Sequence, residues 1–333
     1  MKQPKIGTKA WAITNGLNMW PRPRKICACW VKWQALIFIQ MKLKRLCLMK
    51  PISTRHPYSF DLMKMISTSL SDSLPLSTLG PSWPGVKVAV TQTGFQAGPH
   101  YTSPYGFNLG THVGDNLADV EARRAAVQAY MGAPIAWLNQ VHGCDVHVAK
   151  GQPVVAVPDA DASVCVDHQT CLAIMTADCL PVVFSAFNSA GAAVGVAAAH
   201  AGWRGLVGGV LQATAQALAT QAGVPVQQIR AWMGPAIGPQ SFEVGAEVRD
   251  AFVQQNPLNR ECFKPGLLAG KCMADIYGLA RNALAEQGIN NVEGGGLDTF
   301  KDLRWFSHRR GQQLEAPSGR FATLIRLLPS QGA

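Results

Sequence analysis

The stretch from Thr176 to Gly205 constrains this chain most, because it sets two strand-length apolar runs around a connection suited to a tight turn. The runs are Leu180 to Phe187 and Ala192 to Ala199, and the connection is Asn188-Ser189-Ala190-Gly191. Apolar segments of this length around Asn and Gly predict an antiparallel hairpin. A turn centred on Ser189 and Ala190 pairs residues whose numbers sum to 379, which sets Cys179 directly opposite His200. Their Cβ atoms would then lie roughly 4.5 to 5.5 Å apart, close enough for two side chains to share one metal ion. A slip of one residue would send them to opposite faces of the sheet.

Beyond His200, the glycines at 202, 205, 208 and 209 lead into a helix predicted over about 206 to 222, closed by Gly223 with Pro225 beyond it. Free N–H groups at such a strand-to-helix junction attract anions, and Arg204 adds a bidentate donor, so Arg204 is the expected ligand of an anion and a candidate catalytic residue. For either residue alone, a packed Cys or a satisfied core His is the commoner arrangement. Their matched pairing beside the Gly-rich turn favours a site.

Charge at first suggests nucleic acid, since the 333 residues carry a formal net charge of +10. The excess is local: residues 1–64 hold 13 of the 30 Lys and Arg but a single acid, Asp61, leaving 17 bases and 19 acids in the rest. The remainder is therefore net −2, and neither nucleic acid nor a membrane is an expected partner. Residues 1–64, without helical or strand period, read as a disordered basic extension serving as a membrane-surface or nucleic-acid arm or, in preference, as the product of a start assigned upstream of the true one at Met63 or Met65. Their longest apolar run, Trp33 to Met41, is too short for a bilayer span of about 20 residues. Residues 65–85 read as a flexible lead-in, and order is expected from Val86.

Strands are predicted at about 87–93, 136–142, 162–166, 170–175, 229–233 and 321–328, and helices at about 116–131, 243–254 and 275–287. Asp115 is the expected cap of the first of these helices. His142 ends a short strand before Gly143, as His200 does before Gly202, so both are candidates to point into a cleft; His147 competes with His142. The acids Glu243, Glu247 and Asp250 read as a solvated face, and Arg309-Arg310 as surface ion pairs or an anion contact. Nine cysteines without regular spacing argue against a disulfide framework and for a reducing, cytoplasmic setting. Walker, dinucleotide, Gly-x-Ser-x-Gly and zinc-deaminase signatures are absent.

Four short motifs in order, Asn139-Gln140-Val141-His142-Gly143, Thr176-Ala177-Asp178-Cys179-Leu180-Pro181, Ala199-His200-Ala201-Gly202-Trp203-Arg204-Gly205 and Gly234-Pro235-Ala236-Ile237-Gly238, resemble the YfiH-type laccase-domain family. The likeness runs from about Val86 to the C-terminus, includes Phe107 to Asp115 and Phe306 to Arg310, and does not reach residues 1–64. It implies an α+β fold, a single domain over 86–333 of mixed β-sheets flanked by helices. It also implies a metal site of His142, Cys179 and His200, with substrate contacts at Asn108, His112, Gln140 and Asp178. Two departures are local: Asp298-Thr299 stands where many members have Cys-Thr, and the link from Arg310 to Gly319-Arg320 is longer.

The resemblance implies either of two activities: a zinc purine nucleoside phosphorylase that also deaminates adenosine and cleaves methylthioadenosine, or a copper polyphenol oxidase. Multicopper oxidation needs a second, imidazole-rich cluster, and eight histidines with one visible ligand set supply it poorly. A three-ligand site with an open position suits catalytic zinc, so zinc, purine nucleosides and phosphate are the expected cofactor and partners. Copper remains the alternative because His2Cys also serves blue copper. A metal-free hydrolase with Cys179 activated by His200 is a third class.

Overall fold

The computed structural model describes residues 74–95, 104–151 and 156–329. The expectations for residues 1–64 and for a start at Met63 or Met65 lie outside them. Among the described residues three sheets form the frame, two of them mixed and the smallest antiparallel. One has the order β1 (Leu76–Ser77), β2 (Val86–Thr91), β14 (Phe321–Leu327), β6 (Cys171–Thr176), β3 (Ile135–Ala136). A second, six-stranded, runs β13 (Val292–Gly294), β9 (Ile229–Met233), β7 (Leu180–Phe187), β8 (Ala193–Ala201), β5 (Ala162–Cys165), β4 (Val146–Val148). The third is small: β10 (Glu243–Gly245), β12 (Lys271–Ala274), β11 (Phe263–Pro265).

The side-chain alternation of the strands explains how these sheets stack. On β7 and β8, Leu180, Val182, Phe184, Ala197, Ala199 and Ala201 face one apolar cluster, shared with the helices α2 (Trp203–Gly208), α3 (Val210–Ala222), α4 (Ala246–Gln255) and α5 (Ile276–Glu286). The intervening Val183, Val196 and Ala198 face a second cluster with Leu172 and Ile174 of β6 and Phe321 and Ile325 of β14. The far side of that five-stranded sheet, through Ala173, Met175 and Leu324, packs on Val127 and Met131 of α1 (Leu117–Met131). Burial on both faces is why β6, β7 and β8 read as unbroken apolar runs rather than alternating ones. The resulting order of layers is helix, sheet, sheet, helices.

Local differences from the sequence reading have identifiable causes. The first helix is capped by Asn116, whose side chain accepts the Asp119 N–H. Asp115 instead pairs with Arg123 and accepts from Asn108. The helix expected over 206–222 begins at Trp203 and is divided at Gly209, and the one expected from Glu243 starts as strand β10 and becomes helical at Ala246. The strand expected over 136–142 is confined to Ile135–Ala136. Pairing begins ahead of Val86: β1 pairs with β2, and Trp83 is buried edge-on against Phe187. A last short helix, α6 (His308–Gln313), is capped by Ser307.

The hairpin register is corrected by the structure. Pro181, not Cys179, lies opposite His200, and Leu180 opposes Ala201. Two irregularities produce this. The loop is closed by Asn188 N–H to the Ala192 carbonyl, with Gly191 at φ 78°, and the Asn188 side chain accepts from Ala190 and Ala192. A β-bulge follows between Ala186 and Phe187. Each shifts the pairing by one residue, and each alone would turn His200 to the face away from Cys179. Together they restore the face, so Cys179 comes to lie opposite Gly202 and diagonal to His200.

Candidate metal centre

Strand β8 delivers His200 on its sheet-facing side, at the mouth between the two large sheets. Its imidazole is buried, and Nδ1 lies 2.7 Å from Oδ1 of the fully buried Asp161. The carboxylate requires a proton on Nδ1, which leaves Nε2 for a ligand. The other oxygen of Asp161 accepts the N–H groups of Val141 (3.1 Å) and Gly143 (2.6 Å), the residues flanking His142. His142 itself sits at φ 63°, a left-handed conformation held by these two bonds. One buried carboxylate thus orients both histidines.

Cys179 completes the group. Its Sγ is 3.9 Å from Nε2 of His142, the two imidazole centroids are 4.7 Å apart, and one donor atom from each of the three residues lies within 4.8 Å of the others. Tetrahedral zinc, with Zn–S about 2.3 Å and Zn–N about 2.0 to 2.1 Å, needs donors separated by about 3.3 to 3.6 Å, a small closing movement. Gly202 makes the approach possible. A Cβ there would meet Cys179 Sγ and His142 Cδ2 at 3.1 Å each, and one at Gly205 would meet the Gly143 carbonyl at 2.8 Å. The Gly-rich segment therefore serves close packing against the His142 loop. The donor set and its spacing fit a resident metal ion.

Electrostatics favours the ligand form of the thiol. Burial pushes Cys179 up, but His200 and His142 outweigh it and hold the thiol at about 6. Burial pulls His200 down, and the Cys179 thiolate with Asp161 reverses this and raises it. By contrast, burial pushes Cys165 and Cys171 up to about 11 and about 12, so these core thiols stay protonated.

A cavity of about 230 Å³ opens onto this trio, lined also by Leu138, Gln140, Met175, Ala177 and, on its polar side, by His112, His308 and Arg320. Of the substrate contacts expected from sequence, His112 and Gln140 line it. The Gln140 amide is locked in a two-way pairing with the backbone of Met175. Asn108 is fully buried and ties together Gly110, Asp115 and the Arg320 backbone. Asp178, at φ 87°, accepts from Thr299 and from the Arg309 N–H. Neither of these two lines the cavity. Arg204 is exposed on the outer side of α2 and stacks on Trp203. His147 lies on β4, outside the metal trio. The side chains of Arg309 and Arg310 donate to backbone carbonyls rather than to carboxylates. Asp161, His308 and Arg320 were not singled out from sequence; only the strand-edge position of Asp161 before Ala162 hinted at it.

A family model described as multi-copper polyphenol oxidoreductase laccase matches residues 88–328. The chain belongs to the YfiH-type laccase-domain family. A purine nucleoside phosphorylase of Pseudomonas aeruginosa is 43% identical over 254 residues, spanning 75% of this chain and 98% of the relative. Purine nucleoside phosphorylase YfiH of Escherichia coli is 42% identical over 252 residues, 74% of this chain and 98% of its own length. Among solved YfiH-type structures, a Neisseria meningitidis protein matches with a TM-score of 0.68 at 42% identity, covering 77% of this chain and 100% of its own. YlmD from Geobacillus stearothermophilus matches at 0.65 and 26% identity, covering 77% and 100%. Among the described residues no helix is long and apolar enough to cross a membrane.

Proposed function

We propose that this protein is a zinc-dependent purine nucleoside phosphorylase, with the adenosine deaminase and methylthioadenosine phosphorylase activities that its resemblance to YfiH-type proteins implies. The observation that carries the reading is the His142, Cys179 and His200 trio, set in the wall of a cavity with apolar and cationic sides. Relatives of 42 to 43% identity bearing the phosphorylase name support it. His142, Cys179 and His200 would hold zinc, which would supply Lewis acidity toward a substrate oxygen or water.

The chain's own groups do the rest. Asp161 keeps the Nδ1 proton of His200 in place and aims Nε2 at the site. Leu138, Met175 and Ala177 offer an apolar wall for a purine and exclude water from it. Burial, then the charge of Arg320, holds His112 and His308 below the usual histidine range, so at neutral pH each offers an uncharged ring nitrogen to accept a proton.

The copper reading draws on the description of the matching family model. Among the described residues there is a single cluster of His, Cys and acidic side chains suited to a metal, one fewer than multicopper chemistry uses, and this favours zinc. The test is metal analysis of the purified protein, followed by release of hypoxanthine from inosine with and without phosphate. Stoichiometric zinc and strict phosphate dependence are expected. Copper with phenol oxidation, or turnover that survives complete metal removal, would overturn the proposal, the latter in favour of Cys179 as a nucleophile.

A further inference from the structure

Arg320 is the cation of the cavity, and no carboxylate among the described residues pairs with it directly. It lies just ahead of β14, its backbone N–H held at 2.8 Å by Asn108, and its Nη1 donates to the Ser318 and Gly319 carbonyls at 3.0 and 2.9 Å. No carboxylate forms an ion pair with it among the described residues, and Nε and Nη2 have no described acceptor. Burial lowers its pKa and outweighs the opposing pull of Cys179 and Asp178, which act on it through space rather than by contact. A partly desolvated guanidinium with no directly paired carboxylate keeps donors that an anion arriving from outside can take.

The surroundings suit such an anion. His112 and His308 stand beside Arg320 on the wall of the metal-facing cavity, and the same three residues line a second, more open cleft of about 530 Å³ with Ser318, Gln312 and the exposed Glu315, the one carboxylate on that lining. The Ser318 hydroxyl has no hydrogen-bond partner although its oxygen is buried. The free Nε and Nη2 of one guanidinium, two imidazoles and a hydroxyl present donors to a tetrahedral oxyanion, which Arg engages bidentately. The cavity runs from the metal trio to Arg320, where the open cleft meets it, so a second reactant can enter beside a ligand anchored at the metal.

We infer that Arg320, with His112, His308 and Ser318, forms a binding subsite for free orthophosphate at the junction of the two clefts. This takes the role that the sequence pointed to Arg204 for, and as a reactant site it rests on the phosphorylase reading above. The experiment is calorimetric titration of the purified full chain with inorganic phosphate alone, for wild type and for Arg320→Gln, Arg320→Lys, His308→Ala and Arg204→Ala, with zinc content and Tm recorded for each. Arg320→Gln is expected to bind phosphate at least tenfold more weakly while keeping its zinc, Arg320→Lys to fall between, and Arg204→Ala to match wild type. Wild type that binds no phosphate, or Arg320→Gln that binds it unchanged, overturns the subsite.

If Arg320→Gln does not fold, the exposed His308→Ala carries the test, and unchanged phosphate affinity in that variant overturns the proposal. A parallel titration with AMP separates the sources. AMP that displaces phosphate and binds more than tenfold tighter, with the advantage lost in Arg320→Lys, would assign the anion to a nucleotide and overturn the free-phosphate site. Binding is read without nucleoside, so it is independent of turnover. Phosphate held through Arg320 without phosphorolysis of inosine leaves the subsite standing and removes the phosphorylase reading.

Discussion

Asp161 and His200 form a buried carboxylate–imidazole pair, Oδ1 to Nδ1 at 2.7 Å, and the free oxygen of that carboxylate clasps the backbone on both sides of His142. Two metal ligands from distant segments are thereby oriented by one side chain that touches no metal itself. Substituting Asp161→Asn should weaken zinc binding by about 10- to 100-fold, the range for loss of such outer partners. A chelator-competition titration measures this, with circular dichroism to confirm the fold; zinc affinity equal to wild type would show that the histidines are held by packing alone.

The metal trio is tested by removal. Each of His142→Ala, Cys179→Ala and His200→Ala should lose zinc and turnover, whereas His147→Ala on β4 should keep both. Metal analysis after gel filtration reads the first effect. Zinc retained in Cys179→Ala would point to a different ligand set.

Gly202 separates steric from conformational effects. Its φ of −61° and ψ of 156° are open to any residue, so Gly202→Ala leaves the backbone unstrained. The added Cβ would nevertheless press on Cys179 Sγ and His142 Cδ2 at 3.1 Å. Zinc affinity should fall at least tenfold with a Tm within a few degrees of wild type. A large drop in Tm with zinc affinity intact would mean that the collision is relieved into the fold.

Acid sensitivity should trace in part to Asp115. Burial raises its pKa, but bonds from Arg123 and Asn108 and the Asn116 N–H outweigh this, so the folded value lies below the unfolded one near 3.9. Its stabilisation is therefore fully present above about pH 4 to 5 and is lost as pH falls through the depressed folded value. Asp115→Asn should lower stability at pH 7 by about 1 to 3 kcal/mol, since a buried charge-assisted network is broken, and should flatten the acid limb below pH 4. Urea unfolding from pH 7 to pH 2.5 checks it; parallel pH curves for the two proteins would exclude the assignment.

Much of this molecule is written locally. The buried strands at 180–187, 229–233 and 321–327 and the cap and length of α5 after Asp275 follow from short-range pattern, whereas the grouping of His142, Cys179 and His200 was implied by the resemblance to the YfiH-type family. Apolar runs and Gly or Asp boundaries act within a few residues, which is why they are legible in a chain read by itself. The register that brings Cys179 and His200 together was not legible, because a bulge at Ala186/Phe187 leaves no sequence mark and the loop at Ser189 to Gly191 admits more than one closure. Parity survived only because two one-residue shifts cancelled. Tertiary structure alone decided the partners that come from far along the chain: Asp161 beneath His200, Asn108 under the Arg320 backbone, Asp178 tied to Thr299 and Arg309. It also decided that Arg320 faces the cavity while Arg204 faces solvent. A side chain's direction depends on which sheets stack and how their edges close, and those are sums over contacts that no short segment contains.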